Sequence, residues 1–90
     1  MSIESSPHAK KRLKMRGINE KDVLMTLRNP DKILFDEETG NFIAVKKLND
    51  KILIVAYTTV KGIAKIVSAF QTSKLNIVGK RIKKGRWREI

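Results

Sequence analysis

Lys51-Ile52-Leu53-Ile54-Val55-Ala56-Tyr57-Thr58-Thr59-Val60, then Lys61-Gly62, then Ile63-Ala64-Lys65-Ile66-Val67-Ser68-Ala69-Phe70, is the stretch that decides the fold. The first run is rich in β-branched residues and apolar at almost every position, which suits a central strand covered on both faces. Lys61-Gly62 turns the chain, and the second run returns antiparallel to the first. Alternation puts Ile63, Lys65, Val67, Ala69 and Gln71 on one face and Ala64, Ile66, Ser68 and Phe70 on the other. The Phe70 face is the expected core face, so Lys65 and Gln71 point away from it.

Upstream, Asn49-Asp50 marks a tight turn into another strand, Phe42 to Leu48. The turn Glu37-Glu38-Thr39-Gly40 connects this to a short strand at Ile33-Leu34-Phe35. Four strands in a regular antiparallel meander follow from this spacing.

Before the strands the apolar period is helical. Ser6-Pro7 reads as an N-cap with proline in the first turn, and Gly17 as the left-handed residue beyond the helix end. Within 7–16, Ala9 and Leu13 form the buried line, flanked by Arg12 and Arg16, with His8 and Met15 just beyond; Lys10, Lys11 and Lys14 face water. Asn19 caps a second helix whose apolar face is Val23, Leu24 and Leu27, with Glu20 and Asp22 favourably near its positive end. Asn29-Pro30 stops it. The expected architecture is α+β: an N-terminal αα-hairpin packed on one face of a four-stranded antiparallel sheet, the other face free for a ligand. Residues 1–90 make one domain, with 1–5 an N-terminal arm or a short strand at Ile3. Ser73 to Val78 reads as a short helix or an extended edge segment, and 79–90 as a basic tail.

The chain carries 20 Lys and Arg against 9 Asp and Glu, a net charge of +11. With 11 Ile, 7 Leu and 6 Val it is too apolar for a disordered basic tail. No run reaches the ~18 apolar residues of a membrane span, and no export signal opens the chain. With no Cys and one His, thiolate sites and His-cluster metal sites are excluded. The expectation is a cytoplasmic protein without cofactor or metal, whose partner is a polyanion, nucleic acid first. The charge is uneven: +4 over residues 1–18, −3 over 19–45, +4 over 46–71 and +6 over 72–90. The densest run is Lys80-Arg81-Ile82-Lys83-Lys84-Gly85-Arg86-Trp87-Arg88. It reads either as a solvated face or as a nucleic-acid contact in which Trp87 stacks on a base; a lone Trp near a chain end also packs commonly on a core.

Known enzyme signatures and convergent carboxylates are missing, and Asp36, Glu37 and Glu38 read as a solvated turn. What remains is metal-free cleavage of RNA by its own 2′-OH, which needs a base, an acid and cations around the phosphorane. The groups on hand are His8, Arg12, Arg16, Tyr57, Lys46, Lys65 and Lys80. His8 and Arg12, at i and i+4, share one helix face. They couple a side chain of the class that titrates near neutrality to a permanent phosphate fork, or else they hold the helix to the sheet. Tyr57 and Lys65 each have an ordinary reading, as a packing residue and a solubilising residue.

Ser6-Pro7-His8-Ala9-Lys10-Lys11-Arg12-Leu13, Arg16-Gly17-Ile18, Asp22-Val23 and Asn29-Pro30 together resemble the pattern H-A-x-x-R-(L/M)…R-G-I…N-P. That pattern opens a small-protein family of formally unknown function, grouped with the RelE/ParE-like toxins near the BrnT branch. Val55-Ala56-Tyr57 and Ser68-Ala69-Phe70 are similar to its paired central strands, and the resemblance spans residues 6–72. It implies a metal-independent ribonuclease acting on mRNA, often at the ribosome, and silenced by an antitoxin. It implies roles for His8 and Arg12 by motif, and suggests Tyr57, Lys65, Lys80 and Arg81 by analogy with the open sheet face and C-terminal segment of such toxins. Arg16, Lys46, Lys80, Arg81, Lys83, Lys84, Arg86, Trp87 and Arg88 are the expected RNA-binding residues. The alternative is a non-catalytic ribosome- or chromatin-associated binder on the same scaffold. A third reading directs the basic surface at an acidic protein, or pairs the acidic stretch 31–38 with the basic end of a second copy to give a homodimer.

Overall fold

The computed structural model describes residues 2–90. Its elements are β1 (Ser2–Glu4), α1 (Pro7–Met15), α2 (Glu20–Arg28), β2 (Lys32–Asp36), β3 (Phe42–Leu48), β4 (Lys51–Val60), β5 (Ile63–Thr72), α3 (Ile77–Lys83) and β6 (Trp87–Glu89). The fold is α+β, and the expected meander β2–β5 is its centre. The sheet nevertheless has six strands and is mixed, in the order β1-β5-β4-β3-β2-β6. β1 adds to β5 in parallel, and β6 adds antiparallel to β2 at the opposite edge. β1 is the short strand offered for Ile3, whereas β6, three residues long, is too short to show a period of two and lies in the expected basic tail.

The capping chemistry is local and follows the sequence. Ser6 Oγ accepts from the Ala9 N–H at 3.1 Å and starts α1. At its end Gly17 has φ of +67°, the Ile18 N–H reaches the Leu13 carbonyl and the Gly17 N–H reaches that of Lys14. These bonds form a Schellman motif that swings Ile18 into the core. Asn19 Oδ1 accepts from the Lys21 N–H to start α2.

Alternation along the strands builds two cores, one on each sheet face. On the first, Leu13, Ile18, Val23 and Leu27 pack on Ala44, Leu53, Val55, Tyr57, Ala64, Ile66 and Ala69. On the second, Leu34, Ile43, Val45, Ile52, Ile54 and Trp87 are joined by Phe70, Ile77, Val78 and Ile82. The helical hairpin is looser than expected: α1 docks mainly on β5 and α2 on β4 and β3. The second face is not left free, because α3 lies over part of it. An uncovered Ile43–Val45–Ile52–Ile54 surface would expose a large apolar patch, and α3 is the element that removes it.

One strand departs from simple alternation. Tyr57 pairs with Ile66 but Ala56 pairs with Ser68, so Val67 bulges out unpaired. Ala64, Ile66 and Ala69 therefore share the α1–α2 face, while Phe70 belongs to the other core. The expected grouping of Phe70 with Ala64 and Ile66 is thus corrected. The extra residue also puts Lys65 and Gln71 on opposite faces rather than one.

Candidate functional site

The site is set by α1. Ala9 and Leu13 are buried, and the helix turns His8, Lys11, Arg12, Met15 and Arg16 around a depression of about 470 Å³. Residues 8, 11, 12 and 15 fall at i, i+3, i+4 and i+7, so one helical stripe supplies them. Arg16 Nη1 donates to the Ala69 carbonyl of β5 at 2.7 Å, which fixes the end of the stripe against the sheet. No carboxylate lines the depression, and among the described residues no ion pair engages a basic side chain of α1.

The charge on α1 acts in two directions, since Arg12 and Lys14 sit favourably in the last turn near the negative end of the helix. Lys10–Lys14 and Arg12–Arg16 are like-charged at i and i+4, and no acidic residue sits in the first turn. A bound anion would relieve the repulsion within these pairs.

Of the four residues expected to be catalytic, the structure brings His8 and Arg12 together and Lys65 and Tyr57 elsewhere. Lys65 lines a separate depression with Ile3, Glu4, Ser5, Ser6, Lys10 and Ile66. Tyr57 is 5% exposed in the first core, stacked on Phe42 with ring centroids 5.6 Å apart. Burial pushes its phenol above the usual value of 10.0. It is a packing residue, because the helices cover the face it points to. Lys11 and Met15 were missed; the signal for Lys11 was its i, i+3 relation to His8.

The C-terminal residues divide into two groups. Lys80 and Lys83 on α3 and Lys84 at its C-cap are exposed, and the Arg81 guanidinium lies 4.9 Å from the Trp87 ring centroid and 5.9 Å from that of Phe70. The rest is not a tail. Trp87 is 2% exposed in the second core, so its face is unavailable to a base. Arg86 Nε sits 3.5 Å from both Asp36 Oδ2 and Glu38 Oε2, and Arg88 bonds Glu37 at 2.6 Å. Lys46 Nζ donates to the Asn29 carbonyl at 2.9 Å and lies 3.7 Å from Asp31. The acidic stretch 31–38 is therefore matched by this chain's own basic residues, where the sequence had suggested a second copy. Burial alone would raise the Asp36 carboxyl; the Glu38 and Thr39 N–H groups, the Trp87 indole and Arg86 instead hold it below its usual value of 3.8.

Among the described residues no cluster of His, Asp or Glu could hold a metal ion, and no helix is long and apolar enough to cross a membrane. The structure thus defines a small α+β protein with a cationic helical face as its candidate site. Residues 5–78 match the model of a domain of unknown function, DUF4258, and the chain belongs to that family. No curated protein and no solved structure matches it.

Proposed function

We propose that the chain is a RelE-like toxin, a metal-independent endonuclease acting on mRNA, whose site is the exposed face of α1. The observation that carries this reading is the sharing of one carboxylate-free depression by His8, Lys11, Arg12 and Arg16. Arg12 and Arg16 neutralise the scissile phosphate. The His8 imidazole takes the 2′-OH proton, the 2′ oxygen bonds to phosphorus, and the P–O5′ bond breaks. The Lys11 ammonium gives the 5′ oxygen its proton, leaving a 2′,3′-cyclic phosphate and a 5′-OH. Such a protein works in the cytoplasm, held silent by an antitoxin. The test is incubation with single-stranded RNA or translating ribosomes in EDTA. A cyclic-phosphate product that disappears in His8→Ala and Arg12→Ala supports the reading, and binding without any cutting defeats it.

The second reading, a non-catalytic RNA binder, is favoured by the position of Tyr57 and Lys65, which leaves the α1 face without support from the sheet. In that case the same RNA is bound and recovered intact.

A further inference from the structure

The fold takes Lys65 away from His8 but not away from α1. β1 runs beside β5 only as far as the Glu4–Lys65 pair, and Ser5 and Ser6 then carry the chain into the helix. The notch left there has a volume of about 560 Å³, and Lys10 of α1 shares it with Lys65 and Ile66 of β5. Both lysines are exposed, and among the described residues neither joins an ion pair, although the Glu4 carboxylate borders the same notch. Ser5 and Ser6 add hydroxyls to the wall, Ser6 being the residue that caps α1. This notch and the His8–Arg12 depression are on two flanks of one helix: Lys10 lines the notch and its neighbour Lys11 the depression, about 100° apart around the axis. The first turn of α1 holds no acidic residue and carries the positive end of the helix dipole.

We propose that Lys10 and Lys65 form a second phosphate subsite for single-stranded RNA, reached when the strand that occupies the α1 depression crosses the first turn of the helix. This rests on RNA lying against α1, though not on its being cut. A helix with its side chains is about 10–12 Å across, so about three nucleotides at 3.4 Å each separate the two subsites. Two cations on one concave wall concentrate positive potential there, and the helix end adds to it. Glu4 is the one carboxylate of the notch and opposes them. Each phosphate that the lysines neutralise releases counterions and steepens the salt dependence by about 0.7 for a single strand.

The experiment measures binding of 2′-O-methylated oligouridylates, about three and about eight nucleotides long, to the full chain at low salt; the methyl groups block 2′-OH chemistry. The longer strand spans both subsites and should bind about tenfold more tightly than the shorter one. Lys10→Gln/Lys65→Gln should weaken the longer strand about tenfold, make its salt slope shallower by about 0.7–1.4, and bring the two lengths to similar affinity. Lys47→Gln/Lys51→Gln removes the same charge elsewhere. Thr58, which pairs with Lys65, is seven residues along β4 from Lys51, about 23 Å at 3.3 Å per residue, and Lys47 pairs with Ile52 beside it. This control should keep the length dependence and change affinity by less than about twofold. Equal weakening by both pairs overturns the proposal, because the loss then follows net charge and not the notch. So does a longer strand bound no more tightly than the shorter one by the unaltered chain. Circular dichroism checks the fold of each variant, and Lys65→Gln alone, with roughly a threefold loss, carries the test where the double change disturbs α1. The predicted length dependence without cleavage of unmodified RNA would sink the endonuclease reading and leave this one standing. Cleavage without that length dependence would do the reverse.

Discussion

The indole N–H of Trp87 donates to Asp36 Oδ2 at 3.3 Å, joining residues 51 apart in the chain inside the second core. Asp36 is 3% exposed and also accepts from the backbone N–H groups of Glu38 and Thr39. One carboxylate thus organises the acidic turn and anchors the last strand, which makes β6 part of the fold. Trp87→Ala should cost about 3–5 kcal/mol by the usual price of removing a large buried aromatic. Trp87→Phe keeps most of the bulk and loses the hydrogen bond to a charged group, about 1.5–3 kcal/mol. Chemical denaturation of the two variants checks this; equal and negligible losses would mean that residues 87–89 do not hold the sheet edge.

Asp36 also fixes how the protein responds to acid. Its carboxyl is held below its ordinary value in the folded chain, so the unfolded chain binds the proton first. The stabilisation is full above the unfolded value of 3.8 and is lost as pH falls through the lower folded value. Melting temperature should drop below about pH 4, and Asp36→Asn should be less stable at neutral pH with a flatter acid limb. An acid limb of the same steepness in both proteins would show that other carboxylates govern it.

Tyr57 is the only tyrosine, so its ionisation is directly visible in the ultraviolet. Burial raises the phenol, and the folded protein should titrate above 10.0, returning to the ordinary value in denaturant. The sign is opposite to that of Asp36: burial of the neutral phenol is tolerated at lower pH, and stability is lost as pH rises past 10.0. Tyr57→Phe should leave RNA binding and any cleavage unchanged. A tenfold or larger loss of activity with an intact fold would restore the hydroxyl to the site.

The meander, both N-terminal helices and their caps were legible because each rests on local chemistry: Ser6, Asn19, Gly17, Asn29-Pro30 and the apolar run 51–60. What was not legible depends on contacts distant in sequence. Val67 bulges for a reason visible only in the pairing of β4 with β5, and that single extra residue reverses the assignment of Phe70. Arg86 and Arg88 look like binding charge until β6 is seen to lie beside β2, where the acidic turn neutralises them. Trp87 reads equally as a stacking platform and as a core residue, and burial decided between them. His8 and Arg12 were found because their relation is an i, i+4 spacing within one helix. Tyr57 and Lys65 could not be joined to them by any such rule, and the fold keeps them apart.

The like-charge pairs of α1 make stability and binding pull against each other, and Lys10 is where this is measured most cleanly. Lys10→Glu replaces the Lys10–Lys14 repulsion with a Glu-to-Lys pair in the favourable order, and it brings negative charge nearer the positive end of the helix. The variant should be more stable by about 0.5–1 kcal/mol, a rise of a few degrees in melting temperature. The same change removes one cation and adds one anion on α1, beside the stripe proposed to hold phosphate. RNA affinity should fall roughly tenfold at low salt, and the slope of affinity against salt should become shallower by one to two. Stability and affinity moving in opposite directions is the expected signature of charge kept for binding. A variant that loses stability as well would show that Lys10 serves the packing of α1 against Lys65 and Ile66, and that its charge is incidental.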